Sequence, residues 1–201
     1  MVRALAALVL SFELSALSFA ASELRPIAQT PQRANAAAPL PVLFTVPPFT
    51  LTDQDGRAVS LSDIKGPWIA DFIFTRCSSQ CPMMTDRVTQ ASKRLPGMRF
   101  VSFSLDARDT PEVLKRYAAQ HKAGWTFLTG KRGVVRKLSV EGFKLAAAEA
   151  KGGDAGDTIS HSQYFVLVDA QGAVRGYYDA ADAARLQTLV QDAKSLRPSQ
   201  P

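Results

Sequence analysis

The hydrophobic pattern divides the chain into short apolar runs and amphipathic stretches. Phe49-Thr50-Leu51-Thr52 alternates as a strand, Asp53-Gln54-Asp55-Gly56 reads as a turn, and Ala58 to Leu61 reads as a second short strand. Trp68 to Phe74 is nearly continuous in apolar residues, which suits a central strand buried on both faces. Pro82 predicts a helix start, with Cys81 at the cap. Met84, Val88, Ala91 and Leu95 then recur on one helical face. Arg99 to Leu105 is a second central strand. Thr110-Pro111 opens a helix whose stripe is Val113, Leu114, Tyr117 and Ala118. Trp125 to Leu128 reads as a strand and Val134 to Leu138 as a short helix. Residues 146–158 read as a flexible loop. Tyr164 to Val168 is a third central strand, Asp169 to Gly172 a turn, Ala173 to Tyr178 its hairpin partner, and Ala183 to Leu196 a closing helix.

Strands alternating with helices and ending in a hairpin and a helix predict an α/β sandwich. The layout of strand, Cys…Cys-Pro and helix is that of a thioredoxin-like fold: an N-terminal hairpin, then a central mixed sheet flanked by helices. The folded domain is expected over residues 42–197. Residues 22–41, rich in Ala, Pro, Gln and Arg without apolar period, read as a flexible linker.

Residues 1–21 read as a signal peptide or an N-terminal anchor. Arg3 begins it, Ala4 to Phe12 is apolar, and Ser18, Ala20 and Ala21 are small residues suited to cleavage after Ala20. Glu13 interrupts the run and opposes a stable membrane span, because a carboxylate in hydrocarbon is costly. No cysteine lies nearby to take a lipid. Export would place the protein in a periplasm or another extracytoplasmic space, with membrane association if the segment is retained. A close cysteine pair oxidises there unless a metal or a reductant protects it.

Composition adds limits. With 201 residues and 46% hydrophobic content, one domain can bury an ordinary core. The formal charge of +6 comes from scattered basic residues such as Arg87, Lys93, Arg94, Lys115 and Lys137. They form no dense block with interleaved aromatics, so no nucleic-acid partner is expected. Nothing suggests an assembly, and a monomer is expected. The Asp53-x-Asp55-Gly56 turn lacks the further ligands of a calcium loop.

The chemistry concentrates at Cys77 and Cys81, the two cysteines of the chain. Two cysteines within five residues cannot form a disulfide framework, so they mark a site. The dipole end of the following helix favours a thiolate. The loop lies at the C-terminal edge of the sheet, where open α/β sheets place their sites. Two soft sulfurs select copper(I), zinc or an iron–sulfur cluster. Zinc prefers four protein ligands in a closed site. With one or two histidines to add, the set favours copper. The pair also suits thiol–disulfide exchange, since the three-residue gap still permits a disulfide. A peroxidatic reading of Thr75-x-Cys77 is weaker, because the upstream Pro of that motif is missing.

His161 stands before the third central strand, between Ser160 and Ser162. Thioredoxin-like redox enzymes usually carry a cis-proline at this place. Here no proline occurs between Pro111 and Pro198, which shifts weight from disulfide exchange towards metal binding. His121 follows residues 111–120 and reads as a helix C-terminal cap. Met84 fits the core stripe and Met83 is off it; neither is assigned to the metal. Asp71, a carboxylate inside an apolar strand, needs a partner or a sheet edge. Asp106, at the end of the second central strand, can support the site from outside the ligand set.

Taken together, these stretches resemble the Sco/SenC copper chaperones from Phe49 to about Leu196. The resemblance rests on Phe49-Thr-Leu-Thr-Asp-Gln-Asp-Gly56, Phe74-Thr75-Arg76-Cys77-Ser-Ser-Gln-Cys81-Pro82, Asp109-Thr110-Pro111-Glu112-Val113-Leu114, and Ser160-His161-Ser162 before Phe165-Val-Leu-Val-Asp169. It implies a thioredoxin-like fold and a copper ion held by Cys77, Cys81 and His161. It further implies copper delivery to the binuclear site of cytochrome c oxidase, or reduction of that site's cysteines, with the oxidase's copper-bearing subunit or another copper protein as partner. The alternative from the residues is an extracytoplasmic thiol–disulfide oxidoreductase using Cys77 and Cys81. Two departures lie near the site. Asp106-Ala107-Arg108-Asp109-Thr110 is one residue shorter than the family's Asp-Pro-x-Arg-Asp-Thr, and Ser160 replaces a frequent Asp.

Overall fold

A computed structural model describes residues 39–77, 80–131, 133–145 and 163–197. The expected flexible loop over 146–158, His161 and the expected leader over 1–21 lie outside these described residues.

Among the described residues, eight strands form one mixed sheet: β1 (Phe44–Thr45), β2 (Thr50–Asp53), β3 (Ala58–Ser60), β4 (Trp68–Ile73), β5 (Arg99–Ser104), β6 (Thr126–Thr129), β7 (Tyr164–Val168) and β8 (Ala173–Asp179). Their order is β1-β8-β7-β4-β5-β6-β2-β3. The centre is the parallel set β4, β5 and β6, and β7 joins β4 antiparallel. The helices are α1 (Gln80–Arg94), α2 (Pro111–Gln120), α3 (Val134–Lys137) and α4 (Ala183–Ser195), with a π turn at Leu138–Gly142 after α3. This is the thioredoxin-like α/β sandwich expected from the sequence.

The pleat of β4 explains the two layers. Trp68, Ala70 and Phe72 point to one face, where they pack with Phe103, Phe143, Val166, Val168 and Tyr177. Ile69 points to the other, against Met84, Val88 and Ala91 of α1, Leu95 just past its end, and Leu186 and Leu189 of α4. Ile73 is on this second face too, in a third group with Cys81, Leu114, Tyr117 and Phe127. That group joins α1 and α2 beneath the end of the sheet. All six residues of β4 are buried. Packing starts with Leu40, which is buried in the α1/α4 layer two residues before the expected domain start.

Met84 is fully buried, while Met83 is half-buried and packed on the same core. His121 caps the C-terminus of α2, as its position suggested, and its ring lies 4.3 Å from that of Tyr117. The first hairpin closes as a plain turn: Asp53 Oδ1 accepts the N–H groups of Asp55 and Arg57, and Gly56 takes φ +80°. One oxygen of the Asp53 carboxylate is thus used by the turn's own backbone, as in an Asx turn.

One boundary differs from expectation. Helix α1 begins at Gln80, so Cys81 lies inside its first turn and Pro82 is the third helical residue. Proline is tolerated there because first-turn N–H groups have no intrahelical acceptor to lose. The steric bias against helical geometry before proline is a tendency that packing has overridden at Cys81, which is fully buried in the core.

Candidate metal centre

The site grows from the C-terminal end of β4. The chain leaves the sheet at Phe74, turns with the Cys77 N–H on the Phe74 carbonyl at 3.2 Å, and re-enters regular structure at α1. Cys77 is half-buried on that turn, and Cys81 is buried one helical step further on. The two are thiols, not joined in a disulfide. The Cys81 N–H donates to Cys77 Sγ at 3.3 Å, so one of the orphan donors of the α1 N-terminus is aimed at the more accessible sulfur. That is an arrangement for holding charge on Cys77.

Cys81 has the opposite environment. Burial pushes its thiol well above the ordinary range, and the nearby Cys77 and Asp71 add to this, while a backbone hydrogen bond with Phe74 opposes it. The pair therefore has an accessible sulfur and a shielded one. A bound cation would have to draw the proton from Cys81, as soft metals do from thiols.

Asp71 lies beneath. It is buried in the middle of β4, on the same face of the strand as Ile73. Its Oδ1 accepts the Ser102 hydroxyl at 2.6 Å, and Trp125 Nε1 donates to Ser102 Oγ at 2.9 Å. Its Oδ2 has no hydrogen-bond partner among the described residues. Burial raises its pKa to about 7, against the lowering effect of Ser102. The partner that the sequence required is thus Ser102 on the adjacent strand, and it satisfies half of the carboxyl.

Asp106 sits beside the cysteine turn. Its carboxylate meets Arg76 Nη2 at 2.6 Å and Arg108 Nη2 at 2.9 Å, and Oδ1 also accepts the Arg108 N–H at 2.9 Å. Burial pushes its pKa up, but the bonds from Arg108 and Arg76 outweigh that and hold it at about 2. Arg76 precedes Cys77 directly, so Asp106 reaches the site through it.

Two groups escaped the residue-by-residue reading. Asp109, fully buried, accepts both the backbone N–H and the hydroxyl of Thr75, at 2.9 and 2.6 Å. Tyr117 of α2 shares a 2.9 Å hydrogen bond between hydroxyls with Thr85 of α1, one turn beyond Cys81. Asp109 was visible only as part of a family-like segment, and Tyr117 only as a core position. A pairing across 34 residues leaves no local periodic signal.

Among the described residues no group of three or more His, Cys, Asp or Glu is placed to hold a metal. The two sulfurs fit a soft ion as far as they go, and the third ligand expected from the sequence, His161, lies outside those residues. The strand that follows His161 is placed, however. β7 runs antiparallel to β4 with Trp68 opposite Val168 and Ala70 opposite Val166. The start of β7 therefore lies at the end of β4 from which the cysteine turn departs. Gln163, at its threshold, is tied to the Asp179 carboxylate by bonds of 2.9 and 3.0 Å.

With this geometry in place, comparison with known proteins is direct. The SCO1/SenC family model matches residues 39–196. The SCO1 protein homolog of Bacillus subtilis (strain 168) is 35% identical over 165 residues, covering 77% of this chain and 84% of that protein. The structure of BsSco, a member of the Sco family of cytochrome c oxidase assembly proteins in which a disulfide switch was identified, superposes with a TM-score of 0.68. It is 35% identical and covers 79% of this chain and 96% of its own. Yeast Sco1 with copper bound shares the fold, with a TM-score of 0.64, 23% identity, and coverage of 77% and 91%.

Proposed function

Because this chain belongs to the SCO1/SenC family, we propose that it is a copper metallochaperone of cytochrome c oxidase assembly. Its cargo is copper(I), held by Cys77, Cys81 and His161. The recipient is the binuclear copper site on the oxidase's copper-bearing subunit. The observation that carries this reading is the pair of sulfurs at the start of α1, with Cys77 half-buried and facing the Cys81 N–H. A closed structural site would bury all its ligands. An accessible sulfur instead lets a thiol of the recipient approach the ion and take over coordination one ligand at a time. The soft donor set selects copper(I) over harder ions.

The leader-like residues 1–21 support a location outside the cytoplasm, periplasmic in a bacterium. Among the described residues no helix is long and apolar enough to cross a membrane.

A second reading has its own observation. The accessible Cys77 and the shielded, proton-retaining Cys81 are the attacking and resolving pair that thiol–disulfide exchange requires. BsSco, with its disulfide switch, supports the same chemistry in a relative. Such a protein would reduce the recipient's cysteines before or alongside copper transfer.

An anaerobic copper(I) titration of the reduced protein, wild type beside His161→Ala, tests the first reading. One copper per monomer is expected. The variant should lose more than about a hundredfold in affinity, beyond what outer partners of a metal site usually contribute. If His161→Ala binds as tightly as wild type, the three-ligand site is wrong. Turnover of a disulfide substrate that needs both cysteines and is indifferent to His161 would favour the second reading.

A further inference from the structure

Asp109 and Thr75 meet across the top of the sheet. Thr75 lies two residues before Cys77, on the turn that leaves β4. Asp109 lies in the loop between β5 and α2. Its carboxylate accepts the Thr75 N–H at 2.9 Å, the Thr75 hydroxyl at 2.6 Å and the Ser104 hydroxyl at 2.6 Å. Arg76 Nη2 stands 3.9 Å from its Oδ1. The group is fully buried, so this is a carboxylate filled with donors and shut off from water. Hydrogen bonds to a charged acceptor are about twice as strong as neutral ones.

The same loop and helix reach the other side of the site. Thr110 caps α2, and Leu114, Tyr117 and Ala118 of that helix pack around Cys81. Tyr117 is hydrogen-bonded to Thr85, four residues after Cys81. The segment from Asp106 to Ala118 thus braces the chain both before Cys77 and after Cys81. On that turn the Cys77 N–H donates to the Phe74 carbonyl. The anchoring of its neighbours adds to what holds its sulfur in place.

We propose that Asp109 is a positioning residue for the Cys77 sulfur, acting through its two hydrogen bonds to Thr75. The inference rests on the copper-binding reading for its metal arm, and its thiol arm stands without it. The hydrogen bonds of the Asp109 carboxylate go to Thr75 and Ser104, outside the ligand set. Its role is to hold the turn so that Cys77 stays at the mouth of the α1 N-terminus, where the Cys81 N–H meets it.

The test uses the full chain with Thr75→Val, Thr75→Ser, Asp109→Asn and Asp169→Asn. Thr75→Val keeps the shape and loses the hydroxyl, and Thr75→Ser keeps the hydroxyl. Asp169 is the matched control. It is a buried carboxylate that accepts Gln171 N–H, Ala173 N–H and Arg175 Nη1 in a turn away from the cysteines. Two quantities are read: copper(I) affinity by anaerobic competition, and the iodoacetamide alkylation rate of Cys77 in the metal-free protein, resolved by peptide mass spectrometry. Thr75→Val and Asp109→Asn should lose about tenfold to a hundredfold in copper affinity, the range for partners outside the ligand set. Their Cys77 alkylation rate should fall severalfold as the sulfur leaves the Cys81 N–H that favours its thiolate. Thr75→Ser should stay close to wild type in both. Asp169→Asn should lower the melting temperature and leave both thiol readouts close to wild type. If Asp169→Asn moves the readouts as far as Asp109→Asn does, the effect is general destabilisation and the proposal fails. It also fails if Thr75→Val alkylates at the wild-type rate. A wild-type protein that binds no copper would overturn the copper reading instead, and the alkylation contrast would then decide the positioning role alone.

Discussion

The backbone N–H of Cys81 points at Cys77 Sγ across 3.3 Å, so the first turn of α1 serves one cysteine with the backbone of the other. The two thiols are made unequal by this and by burial, which leaves Cys77 accessible and keeps Cys81 in the core. Alkylation of the reduced protein at pH 8 should label Cys77 at least about tenfold faster than Cys81, since one pKa unit alone changes the thiolate fraction tenfold. Peptide-resolved labelling kinetics measure this. Equal rates would show that the buried thiol is opened by local unfolding.

Asp71 makes stability depend on pH in the unusual direction for a carboxylate. Its folded pKa of about 7 lies above the ordinary aspartate value of 3.8. Below about 4 both states carry the proton and nothing is lost. As pH rises from about 4 to 7 the unfolded chain gains by ionising first, and stability falls by up to roughly 4 kcal/mol. Urea unfolding of Asp71→Asn between pH 4 and 8 should show this slope removed. The same slope in the variant would place it on another group.

Asp106 acts with the opposite sign. Its folded pKa of about 2 lies below the ordinary aspartate value of 3.8. Its contribution is complete above about 4 and is lost as pH falls through 2. Its partners Arg76 and Arg108 are about half exposed, at 45% and 53%, so solvent screening reduces the worth of the pairing. Asp106→Asn should cost about 1 kcal/mol at pH 7 and little at pH 2, measured by denaturant unfolding at both.

Phe143 anchors the core just before the segment that carries His161. Its fully buried ring lies 5.1 Å from Phe72, 5.5 Å from Phe103 and 6.0 Å from Trp68, and its carbonyl accepts the Tyr177 hydroxyl at 2.7 Å. Phe143→Ala should cost about 3–5 kcal/mol. That corresponds to roughly 10 °C in melting temperature for a domain of this size. Differential scanning calorimetry checks it, and a loss below about 1 kcal/mol would mean the neighbouring rings close the gap.

The elements were legible where the signal is local. The apolar run Trp68 to Phe74, the stripe Met84, Val88, Ala91 and Leu95, and the Thr110-Pro111 helix start are each patterns within, or at the end of, a single strand or helix, and the structure has those elements there. The start of α1 was less legible. The bias imposed by Pro82 argued for a cap at Cys81, and burial of that residue in the core drew it into the helix instead. Asp71 could be recognised as a misfit, yet its partner could not be identified.

The residue order by itself determined which side chains are soft donors, which stretches are strands or helices, and that Cys77 and Cys81 lie close together where a strand gives way to a helix. Covalent spacing and side-chain period carry that information. Only the tertiary structure decided which cysteine is shielded, that Ser102 answers Asp71, and that Asp109 holds Thr75. Those relations join residues more than 30 positions apart or depend on how deeply a group is packed. Burial and long-range hydrogen bonding are properties of the assembled sheet and helices, and no local pattern in the chain encodes them.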